Sequence, residues 1–220
     1  NGGPSDSDER VMAAARMVGG AAGLYLGARF QEDWEPTTAD FALAGLAGME
    51  GAIAASVAPV ALTGDYDLQD KLEGHISLGF HLGVAGALAY GHLEDLDYRN
   101  VALGAYGLAT GHALATGLPM LFLDGAEDNF EQVVYSSNIL LGVSGLGAGA
   151  VLGGQGEWSR GDVGMMSVGI GLATWEAVML SAIAEEYDLF ARNEQMAGVV
   201  LTTTALGAIG AGVLSQKVEP

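Results

Sequence analysis

Three ionisable residues stand at nearly equal intervals inside apolar sequence: Glu50, His112 and Glu176, spaced 62 and then 64 residues apart. A fourth, His81, lies within another apolar run. Carboxylates and imidazoles take up and release protons, and a mixed Glu/His set can also hold a metal ion. A charged group deep in hydrocarbon is costly and therefore faces a bundle interior, a partner or water. Two readings compete. In the first, Glu50, His81, His112 and Glu176 form a proton or cation relay. In the second they are buried polar residues that fix how helices register, bonded to one another, to Thr110 or Thr174, or to a neighbour's backbone. A metal centre is not expected, because none of the four has a second ligand three or four residues away on its own helix.

The surrounding sequence is hydrophobic enough to place these residues in a membrane. Half of the 220 residues are hydrophobic, only 16% are charged, and the mean hydropathy is +0.32. A soluble domain of this size carries more charge. Seven apolar runs have near-spanning length: Val11–Phe30, Phe41–Leu62, Ile76–Gly91, Val101–Leu123, Val133–Gly154, Val163–Ala184 and Met196–Ser215. Crossing about 30 Å of hydrocarbon takes roughly 20 helical residues. The third run, at 16 residues, reaches that only with its flank around His75 at the interface. Short polar loops separate the runs and favour antiparallel neighbours. Trp34, Tyr66, Tyr98, Trp158 and Tyr187 fall in or beside those loops, where aromatic rings sit at the headgroup level. Arg16 reads as an interfacial anchor, and Pro59 and Pro119 as late kinks or stops.

The chain has 35 glycines, and many of them are ordered into stripes. The first run has Gly19, Gly23 and Gly27; the third has Gly79, Gly83, Ala87 and Gly91; the fifth has Gly145, Gly149 and Gly153; the seventh has Thr203, Gly207, Ala211 and Ser215. Residues four apart share a helix face, so each stripe bares a face to a neighbouring backbone. Each glycine costs roughly 1 kcal/mol of helix propensity, a penalty that close packing must offset. A bulky Gly149→Leu is therefore expected to disrupt packing far more than Leu146→Ala.

Even-numbered runs share a different word: Leu46–Glu50, Leu108–His112 and Leu172–Glu176 each read Leu-Ala-(Gly or Thr)-any-(Glu or His). The last stripe positions, 27, 91, 153 and 215, are spaced 64, 62 and 62. Two sets of positions with one period indicate a repeated helical hairpin, over residues 11–62, 76–123 and 133–184, with a half repeat at 196–217. The first hairpin, GARFQEDWEP followed by FALAGLAGMEGAIAASVAP, resembles in layout the proteolipid c-subunits of rotary ATPases. That resemblance covers the hairpin layout alone: the Arg-Gln-Pro type of loop is absent, and His112 stands where a carboxylate would recur. It implies proton translocation through Glu50 or Glu176 as an alternative role.

Several classes are disfavoured. With no cysteine, disulfides and thiolate sites are impossible. GAGAVLGG has neither the preceding strand nor the following residues of a phosphate loop. A net charge of −19, spread over loops on both sides, argues against nucleic acid and anionic lipid surfaces, and gives no orientation. It suits basic protein partners or divalent cations on the acidic loops. The polar start NGGPSDSDER, at residues 1–10, reads as the end left by signal cleavage. The expectation is thus an all-α, polytopic membrane bundle of about seven antiparallel helices, built from Gly/Ala-rich hairpins over residues 11–217. Its expected role is a non-enzymatic structural subunit without cofactor or metal, located in a bacterial envelope membrane. Its partners would be lipid, copies of itself or other membrane subunits. The alternatives are an ion conduit and a soluble oligomeric shell or tube.

Overall fold

The computed structural model describes residue 25 and residues 35–64, 72–125, 129–186 and 193–216. The chain divides into two compact units, Asn1–Thr37 and Thr38–Pro220. In the first, Tyr25 is helical and exposed. The run Val11–Phe30, with Arg16 and the stripe Gly19, Gly23 and Gly27, otherwise lies outside the described residues.

The second unit is all helical among the described residues: α1 (Thr38–Thr63), α2 (Leu72–Leu93), α3 (Tyr98–Phe122), α4 (Phe130–Gln155), α5 (Arg160–Glu186) and α6 (Asn193–Ser215). Seven helices were expected, and the described residues hold six. The third apolar run is less marginal than its 16 residues suggest, because α2 extends to 22. Five of the helices are long and apolar enough to cross a membrane, all except α3.

Local chemistry sets the boundaries. Asp97 accepts from the Arg99 backbone N–H at 2.7 Å, and Asn100 accepts from that of Asp97 at 2.9 Å, a reciprocal cap that starts α3. Asn100 also donates to the Ala150 carbonyl at 2.9 Å, tying that start to α4. Ser159 and Asp162 cap α5 in the same reciprocal way. α1 ends at Gly64, whose φ of 68° is left-handed and favours glycine. Pro59 and Pro119 lie inside α1 and α3, close to their ends.

Helices pair where side chains are missing. A Cβ on Gly51 would meet the Gly79 carbonyl, and one on Gly79 the Gly51 carbonyl; Gly83 lies on Ala47 in the same way. Gly107 and Gly145 are reciprocal between α3 and α4, where Gly149 also lies on the Leu103 carbonyl and Gly153 on that of Arg99. Gly169 and Gly207 face each other between α5 and α6. As numbers fall along one helix they rise along its partner, so each pair is antiparallel. The close pairs are α1/α2, α3/α4 and α5/α6, with further packing of α3 on α6 and α4 on α1. They are offset by one helix from the hairpins 76–123 and 133–184 read from the sequence. The physical reason is that each of the three described stripes faces the helix before it in the chain.

The first helices of the first two pairs, α1 and α3, stand side by side and parallel. Leu43 lies near Gly104 and Glu50 bonds to His112, offsets of 61 and 62 residues between α1 and α3. Tyr106 on α3 reaches Val163 and Ser167 on α5. Leu43, Ala44, Ala87, Leu96, Leu146 and Ala150 form the buried core. Leu146, 7% exposed and packed on Gly104, is part of that core, so Leu146→Ala would open a cavity there, whereas Gly149→Leu would drive a side chain into the Leu103 backbone.

Candidate functional site: a Glu–His–Asn chain

A period of 62 residues on parallel neighbours puts the same position of α1 and α3 at the same depth. Glu50 of α1, 2% exposed, thereby meets His112 of α3, with Oε2 to Nε2 at 2.8 Å. The chain continues across α4. His112 Nδ1 lies 2.8 Å from Asn138 Oδ1, and Asn138 Nδ2 donates to the Val134 carbonyl at 2.9 Å and to Thr116 Oγ1 at 3.1 Å. Glu50 Oε1 is buried and has no hydrogen-bond partner.

Gly142 closes the site. It lies one turn after Asn138 on α4 and is buried against both acid and imidazole. A Cβ there would run into Glu50 Oε1 and come within 2.7 Å of the His112 ring. Without a side chain, α4 can lie directly over the pair, leaving Glu50 2% and the His112 side chain 28% exposed. Beside it, a groove of about 340 Å³ runs between α2 and α4 over α1, lined by Leu43, Ala47, Glu50, Gly86, Tyr90 and Gly147. Apart from Glu50 and Tyr90 those residues are apolar.

The four ionisable residues picked out by spacing therefore divide into two groups. Glu50 and His112 come together. His81 and Glu176 do not join them, and neither is buried: both lie on exposed helix faces. His81 Nδ1 turns back to the Ser77 carbonyl at 2.6 Å, and its ring meets Phe80 edge to face. Glu176 closes the same five-residue word on α5, but α4, which seals Glu50, does not pack there. On that hairpin the polar link is instead Thr174 to Thr204, 2.9 Å between hydroxyls. Thr110 is not part of the Glu50–His112 chain.

Asn138, Thr116 and Gly142 were missed by spacing alone. Asn138 is a carboxamide inside an apolar run, the signal that would have flagged it; Gly142 stands three residues before Gly145 and so falls outside the four-residue stripe. No group of three or more His, Asp or Glu side chains able to hold a metal is found among the described residues.

The predicted packing glycines are placed as follows. Gly79, Gly83, Gly145, Gly149, Gly153 and Gly207 lie on the neighbouring helix of their own chain, and Gly91 lies against the Asp40 carboxylate. By contrast, Gly45, Gly86, Gly147, Gly164, Gly171 and Gly210 would offer an added Cβ open space. No protein-family profile, curated protein or solved structure matches the chain.

Proposed function

We propose that the chain is a non-enzymatic integral membrane subunit that assembles with copies of itself or with other membrane proteins, in a bacterial envelope. The observation that carries this reading is the breadth of apolar side chain left uncovered. Leu62, Phe122, Leu140 and Trp175 are 80%, 77%, 68% and 64% exposed, on four different helices. Lipid or other protein has to cover such faces. The small-residue faces support close packing between backbones, and the recurrence of Gly107/Gly145 as Gly169/Gly207, 62 residues on, supports descent from a repeated unit of two helices.

Purification tests the reading. The protein is expected to require detergent and, in lipid nanodiscs, to show a mass above that of one 22.4 kDa chain. A monomer at every concentration removes the assembly. Recovery in the aqueous fraction without detergent replaces the membrane subunit with a soluble shell or tube.

A second reading, conduction of protons or cations, is favoured by the Glu50–His112–Asn138 chain. In it Glu50 and His112 carry the ion, and the exposed His81 and Glu176 have no assigned part. Glu50→Gln separates the two. Loss of proton flux into liposomes with assembly unchanged supports conduction, whereas weakened assembly and no flux even in the parent chain supports a purely structural pair. Divalent cations on the acidic loops remain a partner to be sought by calcium titration.

A further inference from the structure

The amide of Asn138 can take only one orientation. Its Nδ2 faces the Val134 carbonyl at 2.9 Å, and a carbonyl oxygen only accepts, so the NH2 group must point there. The opposite orientation would set two carbonyl oxygens against each other. Oδ1 therefore faces His112 Nδ1 at 2.8 Å, and because Oδ1 also only accepts, Nδ1 must carry the hydrogen. That leaves Nε2 toward Glu50 Oε2, again at 2.8 Å. A neutral imidazole with its hydrogen on Nδ1 has a lone pair at Nε2, which would repel a bare carboxylate. The contact is favourable when one proton lies between the two.

We propose that Glu50 and His112 constitute a one-proton binding site, and that Asn138 is the positioning residue that holds His112 in the tautomer the site requires. The proton has two positions. On Glu50, the Oε2–H bond donates to the Nε2 lone pair and both groups are neutral. On His112, the Nε2–H bond donates to the carboxylate and the pair is zwitterionic. Transfer breaks one O–H bond, forms one N–H bond and leaves the net charge of the pair unchanged. Among the described residues no third ionisable side chain bonds to the pair, and Glu50 Oε1, pressed against Gly142, finds no donor to stabilise a second negative state. Thr116 supports the arrangement from the far side by accepting from Asn138 Nδ2 at 3.1 Å. The site rests on the Glu50–His112 contact and not on ion flow through the protein.

The test is nitrogen NMR of the full chain, labelled in histidine with nitrogen-15 and reconstituted in lipid, with the His112 signals assigned by their loss in His112→Gln. In the parent chain Nδ1 is expected as a protonated nitrogen in slow exchange, and Nε2 as one sharing its proton. Glu50→Gln should turn Nε2 into an unprotonated acceptor and leave Nδ1 protonated, because the glutamine amide then donates. Asn138→Leu should release the fixed tautomer. An unprotonated Nδ1 in the parent chain overturns the proposal, and that measurement needs no variant to fold. An Nδ1 proton indifferent to Asn138→Leu overturns the role of Asn138. Absence of proton flux in liposomes with the tautomer as expected ends the conduction reading and leaves the site standing.

Discussion

Glu50 and Glu176 end the same five-residue word in α1 and α5, yet one is sealed and the other open. Around Glu50, α3 brings His112 from a parallel neighbour, and α4 brings Gly142 as a bare lid. Around Glu176 no helix among the described residues closes over the side chain, and the nearest glycine on that helix, Gly171, faces open space. Residue type and spacing thus decide where a carboxylate sits along a helix. Whether it becomes a site depends on what covers it.

That contrast can be broken by substitution. His112→Leu strands Glu50 as a buried group without its partner and is expected to cost about 3–5 kcal/mol, whereas Glu176→Leu should stay within about 0.5 kcal/mol. Unfolding in mixed micelles measures both. Equal losses would mean that Glu176 is also covered, by another copy or subunit. Gly142→Ala forces a methyl into Glu50 and the His112 ring and should lose about 1–3 kcal/mol. The smallest change is Gly171→Ala, which meets nothing and should gain about 0.5–1 kcal/mol from helix propensity alone. A loss there would show that the α5 face is occupied in the membrane.

Much of the packing was legible because a helix repeats its faces at short intervals. A stripe every four residues marked Gly79, Gly83, Gly145 and Gly149, and each lies on backbone that would collide with a side chain. The 62-residue spacing of Glu50 and His112 became a side-by-side contact because α1 and α3 are parallel. Other features could not be read this way. A bare face fits the preceding helix as well as the following one, so pairing offset by one helix is invisible to periodicity. The exposure of His81 and Glu176 depends on distant chain, as does the role of Asn138, which is set by a carbonyl four residues back and an imidazole on another helix. Leu146 looked like one more apolar residue beside the stripe until Gly104 opened a place for it.

The relative polarity of α3 has a consequence for biogenesis. It carries His112, Asn100 and Thr116 and is the described helix that falls short of spanning hydropathy. Presented singly to the insertion machinery it should partition poorly, while the same segment followed by α4 should enter as a pair, an outcome readable by glycosylation mapping of the two fusions. Glu50 is synthesised ahead of His112, so α1 is made before the partner that its buried carboxyl bonds to.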